Sequence, residues 1–160
     1  MDDLDLKVQR IDYDTHAARL HALWQDLYDE DHGRGALQEP FDSLIGEQIA
    51  FARNASLRPH TGVLAGTFAR GVLAGCALFV MMPRLSGVAM GRGVFVVPQF
   101  RGRGAGTRML ALCRNELTKA GVERILAAPY HSNVDTQRWL TREGFNTIQY
   151  VMEMQIDKGS

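Results

Sequence analysis

The sequence predicts a mixed α/β (α+β) domain, and three observations carry that prediction. Apolar residues recur at three- and four-residue spacing in the first third of the chain and switch to alternation after Thr61. Near residue 100 a strand, a glycine-rich turn and a helix follow one another directly. The length of 160 residues suits one core, so the whole of 1–160 is read as a single domain.

Taken in order, Leu6, Val8 and Arg10 alternate with Lys7, Gln9 and Ile11 and suggest a short first strand. Asp14 or Thr15 then caps a helix whose stripe is Leu20, Leu23, Trp24, Leu27 and Tyr28. An acidic loop is expected at Asp29, Glu30, Asp31, His32 and Gly33. Pro40 opens a second helix, with Phe41, Leu44, Ile45, Gln48, Ile49 and Ala52 on its buried side, and the helix ends near Asn54. Residues 63–69 and 72–81 form a hairpin turned at Arg70-Gly71, and residues 88–97 a third strand of that run. Leu110, Cys113, Leu117 and Ala120 stripe the next helix, which stops at Gly121. A buried strand follows at 123–128. Ser132 and Asp135 form a capping box for a helix running to Glu143, with Gly144 beyond its end. Residues 145–156 close the chain as one continuous strand.

Composition removes several function classes. At 46% hydrophobic and 22% charged residues the chain is neither disordered nor fibrous, and its longest apolar stretch, interrupted by Gly75, is too short to cross a bilayer. No membrane partner is expected. The acidic start, Met1-Asp2-Asp3-Leu4-Asp5, lacks the basic and apolar pattern of a secretory signal, which points to the cytoplasm. Cys76 and Cys113 have no metal-ligand or redox spacing and read as buried hydrophobes; no metal is expected. Eighteen bases balance eighteen acids, which argues against nucleic acid as a partner. The charges are nevertheless polarised: residues 1–60 hold twelve acids and six bases, whereas residues 61–115 hold seven arginines and no acid. Such a span favours a site for a polyanion.

The chemistry concentrates between Val94 and Leu110. A strand ending at Pro98, a turn with glycines at 102, 104 and 106, and a helix start put unpaired amides and a helix dipole at one point, which suits a diphosphate. Arg101 and Arg103 add charge. The turn lacks the lysine of a Walker loop, and it departs from a dinucleotide fingerprint because Thr107 stands where the last glycine belongs.

Val96-Val97-Pro98-Gln99-Phe100-Arg101-Gly102-Arg103-Gly104-Ala105-Gly106 resembles the acyl-CoA-binding motif of the GNAT superfamily of N-acyltransferases, V-x-P-x-x-R-G-x-G-x-G. Gly71 to Leu78, with its apolar-Gly75-apolar run, is similar to a strand of that family's hairpin. The segment from Asn133 to Gly144-Phe145 is similar to its late helix.

The resemblance implies a mixed, mostly antiparallel sheet with a parallel, splayed central pair, flanked by about four helices. It implies acetyl-CoA as acyl donor and an amine as acceptor. The pantetheine arm would run beside Phe95, Val96 and Val97, the diphosphate would rest on Arg101, Gly102, Arg103, Gly104, Ala105, Gly106 and Thr107, and Asn133 would approach the pantetheine. A backbone N–H near Phe95 or Val96 would stabilise the oxyanion formed when the amine attacks the thioester directly. Asp29, Glu30 and Asp31 would line the acceptor side and attract a cationic amine.

The sequence departs from the family at two places. Leu140 occupies the position where a tyrosine usually protonates the leaving thiolate, so Tyr130, His131 and Tyr150 are the remaining acids. The strand before the loop holds no carboxylate base; His131 is the first alternative, with His21 and His32 behind it. Three readings therefore compete: an N-acetyltransferase, a catalytically weak acyl-CoA-binding or sensing module, and, least favoured, a nucleic-acid binder using its arginines. The resemblance suits a monomer or a homodimer.

Overall fold

The computed structural model describes residues 5–33, 35, 39–157 and 159. Among these, one five-stranded sheet is built from β1 (Leu6–Arg10), β2 (Gly62–Ala69), β3 (Val72–Met81), β4 (Val88–Val96) and β5 (Arg124–Leu126), in that spatial order. The helices are α1 (Tyr13–Gly33), α2 (Phe41–Leu57), α3 (Ala105–Lys119) and α4 (Val134–Arg142). The first four strands are antiparallel neighbours, and β5 lies parallel to β4. Mixed α/β architecture, four helices and a parallel pair are as the sequence predicts. The splayed pair, however, forms the sheet's edge instead of its centre, because residues 145–156 add no strand.

Alternation along β2 and β3 sends side chains to two cores. Leu64, Cys76, Leu78 and Phe95 face Leu20, Leu23, Trp24, Ala52 and Ala55 of α1 and α2. Val63, Ala65, Ala77, Phe79 and Ala89 face Met109, Leu110, Cys113 and Leu117 of α3. The sheet is thus sandwiched between a helix pair and a single helix. Arg70 (φ 50°) and Gly71 (φ 78°) turn the β2–β3 hairpin in the left-handed region, as a two-residue loop requires. Arg10, on the inward phase of β1, pairs with Glu116 and donates to the carbonyls of Ala55 and Gly62.

Several boundaries move. Asp12, not Asp14 or Thr15, caps α1, accepting from the amides of Asp14 and Thr15. The Thr15 hydroxyl and then these amides hold its carboxyl below the ordinary 3.8. The acidic residues 29–31 belong to the last turns of α1 instead of a loop, and α2 runs on to Leu57. β5 is only three residues long. At α4 the cap is Asn133, whose Oδ1 accepts from Thr136 N–H at 3.2 Å, in place of the expected Ser132 and Asp135 box.

Candidate active site

Two glycines in β4 decide the shape of the site. Pairing with β3 passes from Phe79–Gly91 to Ala77–Val94, so Arg92 and Gly93 together oppose Leu78 in a bulge. Gly93 sits at φ 128°, and a Cβ there would come within 3.1 Å of Leu27 Cδ2. From α2, Gln48 Nε2 donates to Arg92 O at 2.7 Å and Glu47 pairs with the Arg92 guanidinium at 2.8 Å. The helix pair therefore holds the bulge in place. β4 and β5 pair only from Val88 to Met90 against Arg124 to Leu126, and the bulge begins just beyond. Past it no ladder bond joins β4 to the chain after Leu126, so the outer edge of β4 from residue 91 onward is unpaired and forms one wall of a slot.

Backbone groups face this slot in a fixed pattern. Val97 N–H donates to Ala74 O at 2.9 Å, and Phe95 and Val96 stand opposite Cys76 and Gly75. Amides in an antiparallel ladder alternate sides, so Phe95 shares the β3 side with Val97, whereas Val94 and Val96 turn theirs to the slot. The Val96 carbonyl accepts from Arg101 Nε at 2.6 Å. The Val96 N–H is thus the slot's donor nearest the glycine-rich turn. The Phe95 and Val97 side chains are buried against α1 and α2.

The turn itself fits an anion. A 3₁₀ turn at Pro98–Phe100 leads to Gly102 (φ 75°) and Gly104 (φ 81°), the N-cap of α3, which has no side-chain cap. Arg108 N–H is the first to bond back along the helix, to Gly104 O at 3.0 Å, which leaves the amides of Ala105, Gly106 and Thr107 ahead of the helical ladder. A Cβ on Gly102 or Gly104 would meet no atom within 4 Å, so the space above both is open. Gly106 serves a different purpose: a Cβ there would lie 3.5 Å from the Trp139 ring, and its smallness lets α4 approach α3. Trp139 Nε1 donates to Thr107 Oγ1 (3.1 Å), and that hydroxyl donates to Glu143 (2.6 Å), so the Thr107 side chain joins two helices.

The two arginines divide. Arg103 stands exposed with its guanidinium 5.9 Å from the Phe100 ring centre. Arg101 does not simply add charge to the turn: it pairs with Glu30 at 2.9 Å and lies 5.2 Å above the Phe95 ring. Its side chain is a tie between α1, β4 and the turn.

β4 and β5 point the same way, so the segments leaving both, 97–104 and 127–133, emerge at one end of the sheet. Gln137 Nε2 donates to the carbonyls of Tyr130 (2.9 Å) and His131 (2.8 Å) and holds their loop at the start of α4. Tyr130 is half-buried and His131 exposed. Asn133, with Oδ1 engaged as the cap, keeps its amide nitrogen at this end. Leu140 is buried in the core, so neither its chemistry nor its placement serves proton transfer. Tyr150 is exposed on the tail after α4.

The acidic cluster is dispersed. On a helix Asp29, Glu30 and Asp31 are spaced about 100° apart. Asp29 accepts from Gln25 and Glu30 holds Arg101, so both of these carboxylates already have partners within the chain. His21 stacks on Phe41 and His32 on Tyr28. No group of ligands that could hold a metal ion occurs among the described residues. Nor is any helix among them long and apolar enough to cross a membrane. The Glu30 tie has no signal in the sequence, since its partners lie 71 residues apart. The bulge has one, because Gly91 and Gly93 interrupt a strand of otherwise apolar character.

A parallel strand pair whose pairing stops short, beside an uncapped helix start, is the working end of an acyl-CoA-dependent transferase fold. The acetyltransferase (GNAT) family model matches residues 18–145, and the chain belongs to that family. No curated protein sequence is similar enough to count as a match. Solved structures resemble it at low identity. The aminoglycoside N-acetyltransferase AAC(6')-Iy, in complex with a bisubstrate analogue, has a TM-score of 0.71 at 19% identity, covering 94% of this chain and 97% of its own. A PaiA N-acetyltransferase from Thermoplasma acidophilum in complex with coenzyme A has a TM-score of 0.76 at 14% identity, covering 92% and 93%. An aminoglycoside acetyltransferase from an uncultured soil metagenomic sample, in complex with sisomicin, has a TM-score of 0.66 at 9% identity, covering 96% and 97%.

Proposed function

We propose that this chain is a cytoplasmic, single-domain N-acetyltransferase that moves the acetyl group of acetyl-CoA to a primary amine of a small molecule or protein. The observation that carries the proposal is the juxtaposition of the β4–β5 slot with the amides of residues 105–107. The amides, Gly102 and Gly104 take the diphosphate. The Val94 and Val96 backbone groups run alongside the pantetheine as a further strand would. Asn133 contacts it from the α4 side, and Arg103 supplies charge at the mouth.

Direct attack by the amine is the route the residues favour. Burial pushes the thiols of Cys76 and Cys113 up to about 12, and neither is placed to become a covalent acyl carrier. The neutral amine adds to the thioester carbonyl and forms the C–N bond while the Val96 N–H receives the developing oxyanion; on collapse the C–S bond breaks, the nitrogen gives up its proton to solvent, and the thiolate takes one. With Leu140 buried, the proton comes from Tyr130 or His131 at the same end of the sheet. Aminoglycoside acetyltransferases among the structural neighbours make a polyamine a sensible first acceptor to try. Neither a nucleic acid nor a membrane is part of this reading.

The burial of Leu140 also favours a second reading, a module that binds acyl-CoA and turns it over weakly. Calorimetric titration with acetyl-CoA, using ATP and NADH as controls, tests the first step. One-site binding of acetyl-CoA alone is expected, followed by acetyl transfer in an amine panel. Absence of binding overturns both readings, and binding without transfer across the panel selects the second.

A further inference from the structure

Antiparallel pairing sends the N–H and the C=O of one residue to the same side of its strand. Val97 bonds back to Ala74 and Phe95 stands opposite Cys76, so both groups of Val96 turn to the slot. Its N–H faces the thioester oxygen, and its C=O is the acceptor that a pantetheine amide would meet in strand-like pairing. That acceptor is already engaged. Arg101 Nε donates to Val96 O at 2.6 Å, a full hydrogen bond by its length. The same guanidinium gives Nη2 to Glu30 of α1 at 2.9 Å and lies 5.2 Å from the Phe95 ring centre. A side chain of the protein therefore holds the hydrogen-bonding position that the arm of a thioester needs.

What could move it is set by the turn. Arg101 follows the 3₁₀ turn directly and precedes Gly102 and Gly104, above which the space is open. A diphosphate on the amides of residues 105–107 places its charge on the turn from which Arg101 projects, and a guanidinium bonds strongly to phosphate. Its present contacts can be given up. The Arg101 and Glu30 side chains are 40% and 30% exposed, so water replaces either partner at small cost. A pantetheine thioester without a diphosphate offers the Val96 carbonyl a new donor but offers the guanidinium nothing in exchange.

We infer that Arg101 is the residue by which this site selects its donor. It bars the Val96 carbonyl against thioesters whose pantetheine carries no diphosphate, and it yields to acyl-CoA because the diphosphate takes over the guanidinium. The inference rests on the acetyl-CoA reading of the slot. Selection of this kind uses an element that must be displaced as well as one that attracts. Glu30 sets how firmly the guanidinium is held across the carbonyl.

Calorimetry with acetyl-CoA and an NMR titration with S-acetylpantetheine, which has no phosphate, test this on the full chain. In Arg101→Ala the two affinities should move in opposite directions. Acetyl-CoA should bind about tenfold more weakly, for want of a charged hydrogen bond to phosphate, whereas S-acetylpantetheine should bind severalfold more tightly. A side chain that only props the turn would weaken both; that result, or no gain for S-acetylpantetheine, overturns the inference. Arg101→Met keeps an unbranched side chain over Phe95 without a donor, and it should give the same opposed pair if Arg101→Ala fails to fold. Glu30→Gln leaves Arg101 in place but loosens it, so both ligands should bind severalfold more tightly, and equal or weaker binding of both overturns the inference. Failure of the parent chain to bind acetyl-CoA overturns the proposed function and this inference together. Binding by the parent with parallel losses in the variants overturns the inference alone.

Discussion

Glu30 Oε2 and Arg101 Nη2 meet at 2.9 Å across 71 residues of sequence, joining the end of α1 to the turn that opens α3. Both side chains are partly exposed, and such pairs contribute at most ~1 kcal/mol. Arg101 does more than its partner, because it also donates to Val96 O and lies over the Phe95 ring. Glu30→Gln should therefore cost little in a urea melt, whereas Arg101→Ala should cost clearly more and also weaken acetyl-CoA binding. Equal losses for the two would mean that the ion pair alone accounts for Arg101.

The bulge makes a second prediction. Gly93 at φ 128° lies where side chains are strained, and a Cβ would press on Leu27. Gly93→Ala should destabilise the fold by about 1–3 kcal/mol. It should also weaken acetyl-CoA binding, because relief of the strain straightens β4 toward β5 and narrows the slot. Thermal unfolding with calorimetry measures both, and a stable variant of unaltered affinity would remove the bulge from the account of the site.

The cysteines make a third, through pH. Burial raises their thiols from 9.0 to about 12 in the folded chain. On raising the pH, the unfolded chain loses those protons first, so stability is fully present below about 9 and falls between about 9 and 12. At pH 8 neither thiol should react with a disulfide reagent until the protein is unfolded, and a Cys76→Ala, Cys113→Ala variant should lose stability less steeply in alkali. Rapid labelling of the native protein would contradict the burial.

How much of this was legible in the sequence depended on whether the determinant was local. The hairpin at Arg70-Gly71, the glycine-rich turn and the helix stripes are set by residues within a few positions of each other, and they lie where periodicity and turn chemistry put them. Tertiary relations were not legible. The acidic residues 29–31 look like a loop by composition, yet the stripe that docks α1 on the sheet carries the helix through them, and Glu30 finds Arg101 only once α1 has docked. The tail shows the converse: residues 148–156 alternate as a strand should, but alternation specifies a face without supplying a neighbour.

The turn offers a sharper test than its glycines first suggest. Valine at Gly104 would confound two effects, since φ 81° disfavours any β-branched residue whatever stands in the cradle. Asparagine tolerates that conformation far better, and it still projects a side chain into the open space above the turn. Gly104→Asn should keep the melting temperature within a few degrees while lowering acetyl-CoA affinity by about tenfold or more. Retained affinity in the folded variant would show that the diphosphate does not rest on these amides.

Proton transfer separates the two residues at the start of α4. Tyr130 is half-buried and His131 exposed, with both carbonyls held by Gln137, so the tyrosine is the better shielded of the two. A positioned acid contributes about 10²-fold or more to turnover. Tyr130→Phe keeps the ring and removes the hydroxyl. It should lower kcat on that scale while leaving the affinity for acetyl-CoA unchanged, whereas His131→Ala should change kcat severalfold at most. A reversed order would assign the proton to His131. If both variants turn over at the parental rate, the leaving thiolate takes its proton from water or from the attacking ammonium, and the site works by positioning and the Val96 amide alone.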